Sequence, residues 1–385
     1  MADLIDYVLW RGDVSLKYSP FNKVDALVFS QLSYLNWKGI IPDSFSESVE
    51  LKVLAELLQD KKVEKKLIKN LGPYINTDKF KLLKLTALSA RFKNLTLSGF
   101  RDIYSKRYCE QFAAFTVSGI GFNWVCYRGT DETVIGWKED FELSYMDVIP
   151  SQTDALKYLE DSMKSLKGKF YISGHSKGGN NAMYAAINCS DSNKKRISAV
   201  YNFDGPGFHR DILESSDYKK VEKKIHSVYP ECSIVGMFFE HTDQYEIAES
   251  NRHIVMQHDP FSWGITANGF VNKNQFEDES VFFYKTFNQW YAELSRDQLK
   301  NITDKMFGII LNTGVETLSD MEKDRLHNSA EILKELLKVD SKDRREVLKI
   351  ANMFLKAGKG NFPLFDSFKP SFGSLAEKVF EKRDI

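Results

Sequence analysis

Residues 171–182 read YISGHSKGGNNA. Ser176 stands between Gly174 and the Gly178-Gly179 pair, with His175 and Lys177 as neighbours. KFYIS, which precedes it, has the apolar character of a short buried strand, and NNAMYAAI, which follows, has the small and apolar residues of a packed helix. The G-x-S-x-G spacing at 174–178 fits a serine on a cramped turn between strand and helix. The glycines leave room for that backbone, and Ala182 lets the helix approach the sheet. The turn thereby presents a hydroxyl at the carboxyl end of a buried strand, beside the positive end of a helix.

The same grammar extends outward. TLSGFRDIYS, EQFAAFTVSG and FNWVCYRGT, from about Leu95 onward, are short apolar or alternating runs bounded by glycine, as strands are. SQTDALKYLEDSMKSL (151–166) is an amphipathic helix, and ISAVYNFDG is a strand ending in turn residues. Strand, helix, strand in that order implies parallel pairing with helices covering a sheet. Before this region the chain is helical, with Val24, Leu27, Val28, Leu32 and Leu35 and then Leu51, Leu54 and Leu58 at helical spacing, one face of each helix buried. KKVEKKLIKN (61–70) is a solvated helix face. Beyond Gly269 the stripes Phe283, Phe287, Trp290, Leu294 and Val347, Ile350, Phe354 mark further packed helices. The expected architecture is α/β, with a mostly parallel central sheet over 95–269, a helical N-terminal region over 1–94 and a helical C-terminal region over 270–385.

Composition narrows the function classes. The 385 residues hold 53 Lys+Arg against 53 Asp+Glu and are 43% hydrophobic, so no dominant field points to nucleic acid. Cys109, Cys126, Cys189 and Cys232 lie far apart, without metal-ligand spacing, and are read as reduced buried thiols of a cytosolic protein. The N-terminus lacks a basic start followed by an apolar stretch, and no uncharged run approaches the roughly 20 residues of a membrane span. No metal and no cofactor is expected: His241, Asp243, His253 and His258 match no zinc signature.

Three segments carry a family likeness. YRGTDETVIGWKED (127–140), ISGHSKGG and AVYNFDGPGF (199–208) resemble the α/β-hydrolase fold, and within it the fungal-type class 3 lipases, over about 95–265. SPFNKVDALVFSQLSY near the start and IVMQHDPFSW later also resemble a group of bacterial lipase-like proteins. The resemblance implies a serine hydrolase, esterase- or lipase-like, that forms an acyl-enzyme on Ser176. It makes Thr130 an oxyanion donor by position, with the backbone N–H of Lys177, next to the serine, as the second. Arg128 and Asp140 are expected to form an ion pair that holds this loop. The aromatic segment WKEDFELSYMDVI (137–149) is expected to cover the site, which suits an acyl or lipid-like ester as substrate.

A serine hydroxyl needs a base, and the order nucleophile, acid, histidine places that base downstream. His175 adjoins the serine, but the turn is expected to point it away. His258 is favoured because an apolar, strand-like run stops at His-Asp-Pro and can deliver an imidazole to the top of the sheet; His253 and His241 follow. The acid departs from the fungal pattern, because the matching position in CSIVG is Ser233, which has no charge to orient an imidazolium. Asp204, at the end of the strand after the serine's helix, is the chosen acid, with Asp243 and Glu231 in reserve. The rival expectations are a binding or scaffold protein on a hydrolase fold, and a thioesterase or acyltransferase that keeps the same residues.

Overall fold

The computed structural model describes residues 1–69, 71–72, 78–241 and 244–357. Among these, nine strands form one sheet whose spatial order is the order in sequence. They are β1 (Val49–Glu50), β2 (Thr96–Ser105), β3 (Glu110–Gly119), β4 (Phe122–Tyr127), β5 (Lys169–His175), β6 (Ile197–Phe203), β7 (Ile225–Pro230), β8 (Tyr245–Ala248) and β9 (Asn272–Lys273). Pairing is antiparallel from β1 to β4, parallel from β4 to β8 and antiparallel at β9. Connection length explains the change of sense. Ile120 and Gly121, the latter at φ +81°, are all that separates β3 from β4, whereas helices bridge β4 to β5 and β5 to β6.

Side chains alternate across the parallel strands. Val125, Tyr127, Phe170, Ile172 and Val200 pack with the helices Pro150–Ser165 and Lys177–Asn188 on one face. Trp124, Cys126 and Phe203 point the other way, into a core built from the N-terminal helices. The expected α/β arrangement, a mostly parallel centre flanked by helices, is the one found.

The helix Lys23–Leu32 departs from its expected one-sided burial, since every residue from Val24 to Leu32 is buried. It lies on β4, β5 and β6 and is covered in turn by the helix Asp78–Leu88. Its polar residues are therefore paired. Ser30 Oγ meets Ser173 Oγ of β5 at 2.8 Å, and Asp25 accepts from Arg91 Nε at 2.7 Å and from the Tyr7 hydroxyl at 2.8 Å. The run IVMQH also differs from its expectation. It is a 3₁₀ turn, Ile254–His258, and the strand positions beyond β7 are taken by β8 and β9. The turn sends Ile254 and Gln257, three residues apart, inward together.

A third core lies over the segments that leave the carboxyl ends of β4 and β7. It joins Val134, Leu143, Ile234 and Phe239 to the helices Asp278–Ala292, Arg296–Leu311 and Ser341–Ala357. The remainder of the C-terminal region, 358–385, lies outside the described residues, as does Asn70 at the end of the basic run. All four cysteines are buried and unbridged, and no described helix is long and apolar enough to cross a membrane.

Candidate active site

Ser176 follows β5 and caps the helix Lys177–Asn188 at φ 59°, ψ −135°, a backbone conformation that a residue with a Cβ adopts only under constraint. The neighbouring glycines are that constraint. A Cβ on Gly178 would stand 2.4 Å from the Tyr127 carbonyl oxygen, and one on Gly174 would stand 2.1 Å from the Gly178 carbonyl carbon. A Cβ on Gly129 would lie 2.4 Å from the His175 oxygen and 3.0 Å from Ser176 Cβ. The loop after β4 is thus pressed against the serine turn, and it brings Thr130 with it.

Asp204 follows β6 at φ 49°. Its N–H still bonds the Val228 oxygen of β7 at 2.9 Å, so the sheet holds the residue while the backbone turns away. The carboxylate is fully buried. Asp204 Oδ2 lies 2.6 Å from His258 Nδ1, and the Ser233 hydroxyl donates to Oδ1. Ser233, the residue standing where the fungal pattern has its acid, thus supports the carboxylate that faces the imidazole. Glu231, held in reserve as an acid, instead accepts from the Ser250 N–H at 3.1 Å, and Asp243 lies outside the described residues.

His258 is the last residue of the 3₁₀ turn opened by Ile254, itself at φ 52°. His175 is not turned away as expected. Its ring lies 4.5 Å from that of His258, and both nitrogens are engaged, Nδ1 with the Tyr34 hydroxyl and Nε2 with the His258 carbonyl oxygen, each at 2.8 Å. Burial, and then the nearby His258, hold its pKa well below the ordinary histidine value. His175 is therefore a neutral brace that fixes the backbone of the second histidine. His241 packs against Tyr229 and Tyr284, away from this cluster, and burial lowers its pKa to about 4.

Ser176, His258 and Thr130 line one cavity of about 170 Å³ with His175 and Asp140. Ser176, at the carboxyl end of its strand, is 7% exposed and faces this cavity. Among the described residues no hydrogen bond joins Ser176 Oγ to the His258 ring, a separation common before substrate tightens such a site. Trp137, Phe141 and Ser144, from the segment expected to cover the site, form part of the wall.

The Arg128–Asp140 ion pair does not form. Arg128 Nη2 binds Asp102 at 3.0 Å and Asp131 at 3.3 Å, because the loop turns its guanidinium back toward β2. Asp140 accepts from the Thr130 hydroxyl at 2.6 Å and lies 3.8 Å from Lys177 Nζ. The Lys177 ammonium is wholly buried, bonding Glu139 Oε2 at 2.5 Å and the Gln111 oxygen at 3.0 Å. Burial pushes the Asp140 carboxyl up to about 6, against the opposing pull of Lys177 and Thr130. The Thr130 hydroxyl is thus occupied by Asp140, while its N–H and that of Lys177, the first of the helix, have no backbone acceptor among the described residues. Neither Glu139 nor Tyr34 announces itself in sequence, since each acts through a partner far along the chain.

The sequence model of the Mbeg1-like family matches residues 86–308, more than half of the 385. The chain belongs to the Mbeg1-like family. By sequence, no curated protein matches it. Among solved structures, this Mbeg1-like chain is similar to M37 lipase, at 17% identity and TM-score 0.33, over 55% of this chain and 68% of that one. A deletion mutant of Rhizomucor miehei lipase in its propeptide complex gives 16% and 0.33, over 44% and 59%, so less than two thirds of that protein is spanned. Lip2 lipase from Yarrowia lipolytica gives 12% and 0.32, over 48% and 72%.

Proposed function

We propose that this Mbeg1-like protein is a serine hydrolase that cleaves a carboxylic ester through an acyl-enzyme on Ser176. His258 acts as base, oriented by Asp204, and the N–H groups of Thr130 and Lys177 receive the oxyanion. The observation that carries this reading is the 2.6 Å contact between His258 Nδ1 and the buried Asp204 carboxylate, at the wall of the cavity that also holds Ser176. That contact fixes the tautomer with Nε2 unprotonated, the form able to take a proton from a hydroxyl.

In the reaction Ser176 Oγ attacks the ester carbonyl as its proton passes to His258 Nε2. The oxyanion meets the two N–H groups beside the helix N-terminus, and collapse expels the alcohol with the proton returned from His258. Water then repeats the sequence on the acyl-serine. The wall formed by Phe141, Phe238, Phe287, Trp290, Ile350 and Phe354 suits an apolar acyl portion. A fluorophosphonate probe is expected to label the wild type and not Ser176→Ala. Equal labelling of the two, or labelling of neither, would overturn the assignment, and the second result would favour a binding protein.

A further inference from the structure

Gln31 and Lys79 face the cavity with hydrogen-bonding groups that find no partner among the described residues. Gln31 is 0% exposed, and neither its amide nitrogen nor its amide oxygen has a partner among the described residues. Lys79, from the helix Asp78–Leu88, is 3% exposed. Its ammonium sits 5.1 Å from the ring centres of both Tyr34 and Phe261, and it makes no hydrogen bond or ion pair among the described residues. Facing aromatic rings lessen the cost of burying that charge but are not acceptors for its three N–H donors, which find none among the described residues. Such groups are rare in folded proteins unless a ligand completes them.

The acids that face the cavity are already engaged. Asp131 binds Arg128 at 3.3 Å, Glu132 accepts from Ser319, Asp140 accepts from Thr130 at 2.6 Å, and Asp259 lies 3.5 Å from Arg252. Burial lowers the Lys79 pKa to about 8, with Asp259 and Asp78 opposing that shift, so the ammonium keeps its charge at neutral pH.

Tyr34 follows Gln31 by three residues, just past the end of the helix Lys23–Leu32; its hydroxyl bonds His175 at 2.8 Å, and His175 adjoins Ser176. The free donors therefore stand on the N-terminal side of the reacting serine, while the apolar wall comes from the C-terminal helices. A substrate spanning the cavity has an apolar end and a charged end.

We propose that Gln31 and Lys79 form an anion-binding subsite for the alcohol portion of the ester, so that the substrate is an acyl ester whose alcohol carries a phosphate or carboxylate group. Lys79 supplies the charge, and the Gln31 amide binds a neighbouring oxygen or hydroxyl. The inference rests on the ester-hydrolase reading, and its test is a binding measurement that needs no turnover. Full-length Ser176→Ala protein is titrated by calorimetry with 1-octanoyl-glycerol, with 1-octanoyl-glycerol 3-phosphate and with octanoyl-lactate.

At least one anionic ester is expected to bind about 10- to 100-fold more tightly than the neutral one, the range for a charge-assisted hydrogen bond. A preference shared by both anions indicates a general anion site, and a preference for one names its source. Lys79→Met added to Ser176→Ala is expected to bring the ratio to within about twofold, while Lys79→Arg keeps most of it. Gln31→Leu, which retains the charge, lowers the ratio in part and serves if the methionine variant does not fold. Equal binding of all three esters, binding of none, or a preference indifferent to these substitutions overturns the proposal. Failure of fluorophosphonate labelling with this preference intact would instead remove the hydrolase reading alone.

Discussion

Five residues other than glycine hold a positive φ among those described: Cys109, Ser176, Asp204, Phe239 and Ile254. Ser176 and Phe239 line the cavity, Asp204 faces His258, and Ile254 opens the turn that carries His258. Each costs on the order of 1–3 kcal/mol, so the gathering of the last four around one cavity marks where the fold accepts strain in exchange for position. Asp140 adds an electrostatic cost at the same place. Its carboxyl titrates near 6 in the folded protein against an ordinary 3.8, so between those values the folded chain holds a proton that the unfolded chain has released. Stability from this group is therefore present at low pH and falls as pH rises through that window. Asp140→Asn is expected to remove the slope: urea midpoints from pH 4 to 6.5 should decline in wild type relative to the variant, and parallel curves would show that Asp140 is not the group responsible.

The critical element is the strand-turn-helix formed by β5, Ser176 and Lys177–Asn188, together with the loop after β4. Three buried glycines let these segments touch through backbone alone. Gly178→Ala would drive a methyl to 2.4 Å from the Tyr127 oxygen and 2.9 Å from the Arg128 carbonyl carbon, neither of which is the end of a flexible side chain. The expected loss is about 1–3 kcal/mol of stability, with displacement of the Thr130 loop. A thermal melt reads the first effect and the rate of fluorophosphonate labelling the second; an unchanged melting temperature would mean that the turn opens without cost. The Lys177–Glu139 pair works at this scale too. It ties the first residue of the serine's helix to the helix Val134–Glu142, with Glu139 also accepting from the Gln111 and Ser151 N–H groups at 3.0 and 2.8 Å. One carboxylate thereby satisfies donors from three segments that the sequence keeps apart.

At the scale of the whole molecule, the cavity is a seam between layers. The sheet provides Ser176, the N-terminal helices provide Gln31 and Lys79, and the C-terminal helices provide most of the apolar wall. Phe354, 1% exposed, touches Phe141, Phe238 and Phe283 and also faces the cavity. Phe354→Ala is expected to cost about 3–5 kcal/mol in chemical denaturation and to shift the preferred acyl length upward, because the space it leaves adjoins the wall. A full stability loss with no change in acyl preference would mean that this helix supports the fold without shaping the site.

By itself the sequence determined the α/β class, because period-two apolar runs alternating with amphipathic helices admit few other packings, and because glycines at 174, 178 and 179 around one serine require a tight strand-to-helix turn. These are local signals, written within a dozen residues. Only the tertiary structure decided which carboxylate meets the His258 ring, since Asp204 and His258 are 54 positions apart and are joined by the order of β6, β7 and the turn beyond β8. It also decided that Arg128 turns to Asp102 and Asp131, that IVMQH coils as a 3₁₀ turn, and that Gln31 and Lys79 face the cavity. Periodicity states that a residue is buried. What it is buried against depends on which layers close over it, and that choice is made by the packing of the entire chain.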